Sequence, residues 1–227
     1  MELIHFFLEL LTHTKEVLLQ LFQLYGPYIY AILFLIIFVE TGLVIMPFLP
    51  GDSLLFTAGL FANQVNQTTG EPFLNIFLLL GLLFFAAVAG DNTNYWVGRK
   101  IGLKAVQIKF RNKRIVKQEY LDKTHAFFEK YGTKTIIMAR FVPIVRTFTP
   151  FVAGIAEMKY RRFLSFDIIG GAIWIGSLTI AGYFLGQFDW IRKNIELVAL
   201  GIIFISVLPI LIEIIKAKRS KKRQENQ

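Results

Sequence analysis

Four charged side chains stand inside apolar stretches of this chain: Glu40, Asp52, Arg140 and Arg146. A charge near the centre of a bilayer span costs roughly 2.5–3.5 kcal/mol, so the four unpaired would cost about 10 kcal/mol. A membrane chain keeps such groups when they pair, face water or perform a task. Two acids and two bases suit pairing. Arginine adds a particular chemistry, because its planar fork donates bidentately to an oxyanion and stays charged when desolvated. Phosphate is the oxyanion this suits, with Arg140 and Arg146 as its ligands. A nearby carboxylate holds the arginine when the site is empty, and protonating that carboxylate frees it. That is the role the residue types give Glu40 and Asp52. The plainer alternative is a structural ion-pair cluster, or charges snorkelling to the interface. Asp91 and Asp167 lie nearer segment ends, where helix-end roles compete with functional ones, and Asp91 is the supporting polar candidate.

The elements that must position these groups are interrupted ones. Arg140 and Arg146 are six residues apart, hence about 120° apart on a straight helix. They converge only if the backbone breaks, and Pro143 lies between them. Glu40 and Asp52 are likewise separated by Pro47, Pro50 and Gly51. Proline removes a backbone donor and clashes with the preceding turn. Each pair therefore flanks a bend that can turn both members toward one point. Pro150 adds a further expected break to the second segment.

Composition sets the environment. The chain has 227 residues, 55% of them hydrophobic and only 18% charged, with a net charge of +9. Its basic residues fall in three blocks, 99–134, 159–162 and 216–223, each abutting an apolar segment. That is the positive-inside pattern of a membrane protein. Nucleic-acid binding would want basic residues interleaved with exposed aromatics on a soluble surface, so it is set aside. There is no cysteine, which removes disulfides, thiol chemistry and Cys-ligated metal. The histidines His5, His13 and His125 are scattered, and no nucleotide-binding loop or GxSxG elbow occurs. No catalytic residue, metal or cofactor is therefore assigned.

The expected fold is all-α and polytopic. Residues 1–27 carry a polar stripe on a helical period and read as an amphipathic interfacial helix. Residues 28–215 form the transmembrane domain, with spans at 74–96, 163–186 and 195–215. The basic loop 99–134 and the tail 216–227 belong to the cytoplasm. If 99–134 and 159–162 share that side, segment 135–158 must enter and leave by the same face. A re-entrant hairpin satisfies this, and 28–62 reads as a second hairpin opening the other way. Irregular backbone at depth is tolerated where it is buried in protein or lines a cavity. A faint repeat supports the pairing: Ala58-Gly59 echoes Ala153-Gly154, and Trp96-Val97-Gly98 echoes Trp174-Ile175-Gly176. Paired interrupted segments in two halves point to a midplane site. The side on which the N-terminus lies depends on whether 28–46 spans or turns back.

These residues resemble the DedA family of bacterial membrane proteins, which share a core with the eukaryotic VTT-domain scramblases. The resemblance is carried by Glu40, Pro47-Phe48-Leu49-Pro50-Gly51-Asp52, Gly90-Asp91 with Tyr95, Gly98 and Gly102, and Arg140 through Gly154 with Met158. Phe163, Gly170 and Trp174 extend it. Asp52 stands where some members carry Glu. The resemblance implies that Glu40, Asp52, Arg140 and Arg146 are essential and that two hairpins face each other. It implies a lipid-phosphate translocase of the cytoplasmic membrane that returns undecaprenyl phosphate or moves a phospholipid, with protons as a possible coupling ion. A proton-coupled antiporter of small cations or drugs is the alternative, with Glu40 and Asp52 carrying the ion. A third is a non-transporting assembly protein. An intramembrane aspartyl protease is disfavoured because the GxGD pattern is absent. Membrane lipids are the expected partner, and oligomeric state is left open.

Overall fold

Gly26, at φ +51°, and Pro27 set a 3-10 turn, Gly26–Tyr28, that leads directly into the first helix, α1, Ile29–Gly42. The structure, a computed structural model, describes residues 24–43, 51–65, 72–105, 109–110, 113–114, 134–140 and 143–194, with positions 20, 70, 197, 198 and 201 besides. Most of the expected interfacial helix 1–27, Pro47 and Pro50, most of the basic loop 99–134, nearly all of the span 195–215 and the tail 216–227 lie outside the described residues.

After α1 the backbone turns extended at Leu43. Helix α2 runs Gly51–Asn63 and α3 Ile76–Ala105. A two-residue antiparallel ladder, β1 Lys109–Phe110 with β2 Lys113–Arg114, follows. Then come α4 Lys134–Ala139, α5 Pro143–Ile155, α6 Tyr160–Leu185 and the short α7 Asp189–Lys193. The described chain is thus helical apart from that ladder and one bridge between Val65 and Pro72, as the hydrophobic patterning predicts.

The element ends depart from the reading of the sequence in two instructive ways. Helix α3 passes through residue 96 and the basic Arg99, Lys100 and Lys104 to Ala105. Its 30 residues reach about 45 Å, well beyond a hydrocarbon core of roughly 30 Å. Charge ends a span without ending a helix. Asp91 is therefore mid-helix rather than near a helix end. Pro150, expected as a break, lies inside α5, which runs through it. Its missing N–H only releases the carbonyl four residues back, that of Arg146. Pro143 does open α5, where its fixed φ suits the first helical position.

The six main helices of the described residues fall into two sets of three. α1 packs on α3, and α4 packs on α6; α2 packs on α6, and α5 packs on α3. The relation exchanges α1 with α4, α2 with α5 and α3 with α6, and it reappears in the closest crossings. Where α2 meets α6, a Cβ on Gly59 would strike the Thr179 carbonyl, and one on Gly182 would strike that of Phe56. Where α5 meets α3, a Cβ on Gly154 would strike the Tyr95 carbonyl, and one on Gly98 that of Phe151. Small residues let helix backbones approach in this way within membranes. The Ala-Gly echo at Gly59 and Gly154 thus marks equivalent crossings. The Trp-x-Gly echo does not, because Gly176 faces open space; the counterpart of Gly98 is Gly182.

The main apolar core joins Leu33 and Ile37 of α1, Leu54, Leu55 and Ala58 of α2, Leu79 and Leu83 of α3, and Trp174 of α6. A second cluster joins Tyr95, Ile136, Ala153 and Phe163. It is pinned by the turn after α5, where Glu157 takes φ +52°. There Met158 N–H donates to Ala153 and Glu157 N–H to Gly154, a Schellman ending. The Met158 carbonyl accepts in turn from Tyr95 Oη and Arg99 Nη1. Outward positions remain apolar: Phe77, Phe85, Ile169, Ile173 and Phe184 are exposed.

Candidate functional site

The inside of this bundle is where its charges lie. Glu40 comes two residues before the end of α1, and its carboxylate rests against the backbone of Gly51, the first residue of α2. The C-terminal end of a helix disfavours a negative charge, and an N-terminal end favours it. The opposed end of α2 therefore offsets what α1 imposes on Glu40. Gly51 is required here, since a Cβ would collide with the Glu40 carboxylate. Asp52 follows in the first turn of α2, the favourable place for an acid.

Arg146 enters from the first turns of α5, where its charge opposes the helix dipole. It is held by both acids: Nη2 donates to Glu40 Oε1, and Nη1 donates to Asp52 Oδ1 at 2.7 Å. The face of Trp174, on α6, lies 4.2 Å from the guanidinium carbon. Trp174 Nε1 donates to Asp52 Oδ1 at 2.9 Å. Glu40 is fully buried and Arg146 is 2% exposed, whereas the Asp52 side chain is 13% exposed. Asp52 is thus the member of the cluster nearest to the surface.

Arg140 makes a different cluster. It follows the last residue of α4, and its Nη2 donates to Asp91 Oδ2 on α3 and to Asp167 Oδ1 on α6. All three side chains are at most 3% exposed. Asp91 also feels the charge of Arg146, so the clusters are electrostatic neighbours. One helical turn along α3, Asn94 joins them mechanically. Its Nδ2 donates to the carbonyls of Thr41, at 3.2 Å, and Thr147, at 2.7 Å. These are the residues immediately after Glu40 and Arg146.

The structure therefore brings Glu40, Asp52 and Arg146 together, and gives Arg140 its own carboxylates, Asp91 and Asp167. Asp91 is a direct partner of an arginine. Asp167, Asn94 and Trp174 were not among the site residues expected from sequence. Asp167 carried a signal all the same, as an acid within an apolar span. Among the described residues no group of three or more His, Cys, Asp or Glu side chains is arranged to hold a metal ion.

Helices with apolar outer faces, two of them among the described residues long enough to cross a bilayer, around paired charges held inside, define a helical membrane protein. Residues 49–184 match the VTT domain. The chain is 48% identical to Protein DedA of Escherichia coli K12 over 223 residues, 98% of this chain and 99% of that one. An uncharacterized membrane protein of Mycobacterium leprae is 49% identical over 188 residues, 83% of this chain and 80% of the relative. The inner membrane protein YqjA of E. coli K12 is 33% identical over 160 residues, 70% of this chain and 68% of the relative. The chain belongs to the DedA family of membrane proteins. No solved structure matches it.

Proposed function

We propose that this protein is a lipid-phosphate translocase of the bacterial cytoplasmic membrane. The observation that carries the reading is Arg146 held between Glu40 and Asp52 where two interrupted helix pairs meet. Pairs α1–α2 and α4–α5 would be opposed re-entrant hairpins, with the basic blocks and the C-terminus in the cytoplasm. A phosphate headgroup would enter past Asp52, take the Arg146 fork, and leave Glu40 and Asp52 to accept protons. The lipid tail would stay in hydrocarbon, so only the headgroup crosses the barrier. Arg140 would act behind Arg146, through Asp91. Undecaprenyl phosphate is the first substrate to test, on the strength of the family resemblance, and a phospholipid is the second. The experiment is lipid-phosphate movement in proteoliposomes: Arg146→Ala should abolish it in a protein that still extracts as a folded species. Full activity in that variant would overturn the proposal.

One observation favours the proton-coupled antiporter instead. Four carboxylates, three of them buried, face two buried arginines, and that surplus suits carrying a small cation. Cation flux without lipid movement in the same vesicles would select it.

A further inference from the structure

We infer that the Arg140–Asp91–Asp167 cluster binds a single proton, shared between its two carboxylates, and so forms a second proton site separate from Glu40 and Asp52. It rests on the translocase reading only for what that proton would drive. Both carboxylates accept from the same nitrogen, Arg140 Nη2, which makes them close neighbours. If both were ionised, the cluster would hold a net charge of −1 with no side chain more than 3% exposed. A buried charge without compensation is strongly disfavoured, and two carboxylates on one site do not both ionise readily.

The charged groups around it do not remove that surplus. From α3 comes Asp91 itself, from the end of α4 Arg140, and from α6 Asp167. Arg146 of α5 is the further cation whose field reaches Asp91. It is already matched by Glu40 of α1 and Asp52 of α2. A second observation points to the occupant. Asp91 Oδ1 and Asp167 Oδ2 are buried and have no hydrogen-bond partner among the described residues, and Arg140, whose Nε and Nη1 are likewise without one, reaches the pair through Nη2 alone. An acceptor-only carboxylate pair cannot satisfy itself; once one member is protonated, its O–H can donate to the other. No bond to carbon forms or breaks. The proton comes from water on one side and returns to water on the other. Both Asp91 and Asp167 sit on long helices that pack together, whereas Glu40 and Asp52 flank a break.

Infrared difference spectroscopy of the full-length protein in nanodiscs tests this directly. The unaltered protein should show a buried protonated-carboxyl band that shifts in heavy water. Asp167→Asn and Asp91→Asn should each remove that same band, and Asp52→Asn should keep it. Thermal melting controls for folding, and Asp167→Asn should melt no lower than the parent, because a neutral amide stands in for the protonated carboxyl and leaves Arg140 paired with one carboxylate. Persistence of the band in both Asn variants would overturn the site. So would a band that responds to sodium at constant pH, since the occupant would then be a metal cation. In proteoliposomes Asp167→Asn should move lipid phosphate with a pH profile that has lost one titration step and keeps the one due to Glu40 and Asp52, and a profile identical to the parent's counts against the site. Absence of lipid movement by the unaltered protein would instead sink the translocase reading, leaving the infrared assignment standing.

Discussion

Trp174 holds Arg146 and Asp52 at once: its ring face lies 4.2 Å from the guanidinium carbon, and its Nε1 donates to Asp52 Oδ1 at 2.9 Å. The same carboxylate oxygen accepts from Arg146 Nη1. The indole therefore fixes both partners of an ion pair from a third helix. A desolvated cation–π contact is worth about 2 kcal/mol, and a hydrogen bond to a charged group about 1.5–3 kcal/mol.

Trp174→Phe keeps a ring face and removes the N–H donor. Its expected effect is a loss of about tenfold in transport, the equivalent of about 1.4 kcal/mol, with folding retained. Trp174→Ala removes both contacts and should lose substantially more. Initial rates in proteoliposomes check the order: a Phe variant as active as the parent would remove the indole N–H from the account, and equal activity of the two variants would remove the ring face.

The Glu40–Arg146 pair should be coupled in stability. Glu40→Gln leaves Arg146 with Asp52 alone, and breaking a buried pair in this way costs about 3–5 kcal/mol. Arg146→Gln strands two acids and should cost a similar amount. The double variant Glu40→Gln, Arg146→Gln should recover most of the lost stability and none of the transport. Thermal melting in detergent with transport measured in parallel checks both halves, and additive losses in melting would show that the pair is not coupled.

The charges and the breaks were legible in the sequence because each contradicts its surroundings. An acid or arginine in an apolar run is visible without any fold, and so is Pro143 at the start of α5. Pairing was not legible, since it is set by which helices touch. Arg140 and Arg146 looked like one oxyanion clamp with Glu40 and Asp52, a set that sums to zero. The packing of α4 on α6 instead hands Arg140 to Asp167, and α3 supplies Asp91. The six charges of the two clusters then sum to −2 when all are ionised. Pro150 misled for a related reason: a proline can stay in a helix when the rest of the packing holds it.

The matched crossings predict a matched pair of defects. Gly59→Val and Gly154→Val each force a Cβ into a facing carbonyl, so α2 must leave α6 in the first and α5 must leave α3 in the second. Both should lower folded yield severely. Gly176→Ala, with open space at its Cβ position, should leave it unchanged. Size-exclusion profiles of the three variants check this, and a normal profile for Gly59→Val would refute the close crossing.

Asn94 should act by position rather than by contact with a ligand. Its Nδ2 ties the carbonyl after Glu40 to the carbonyl after Arg146, at 3.2 and 2.7 Å, so α1 and α5 are registered through α3. Losing two buried hydrogen bonds costs about 2 kcal/mol. Asn94→Ala should lower stability by that amount and weaken transport by loosening the Glu40–Arg146 geometry. Asn94→Asp is the sharper variant, because an ionised carboxylate has no donor for either carbonyl and adds an acid beside clusters that already have too many. It should be the worse of the two in both melting and transport. An aspartate variant as active as the parent would show that the amide's donors are not what holds these helices together.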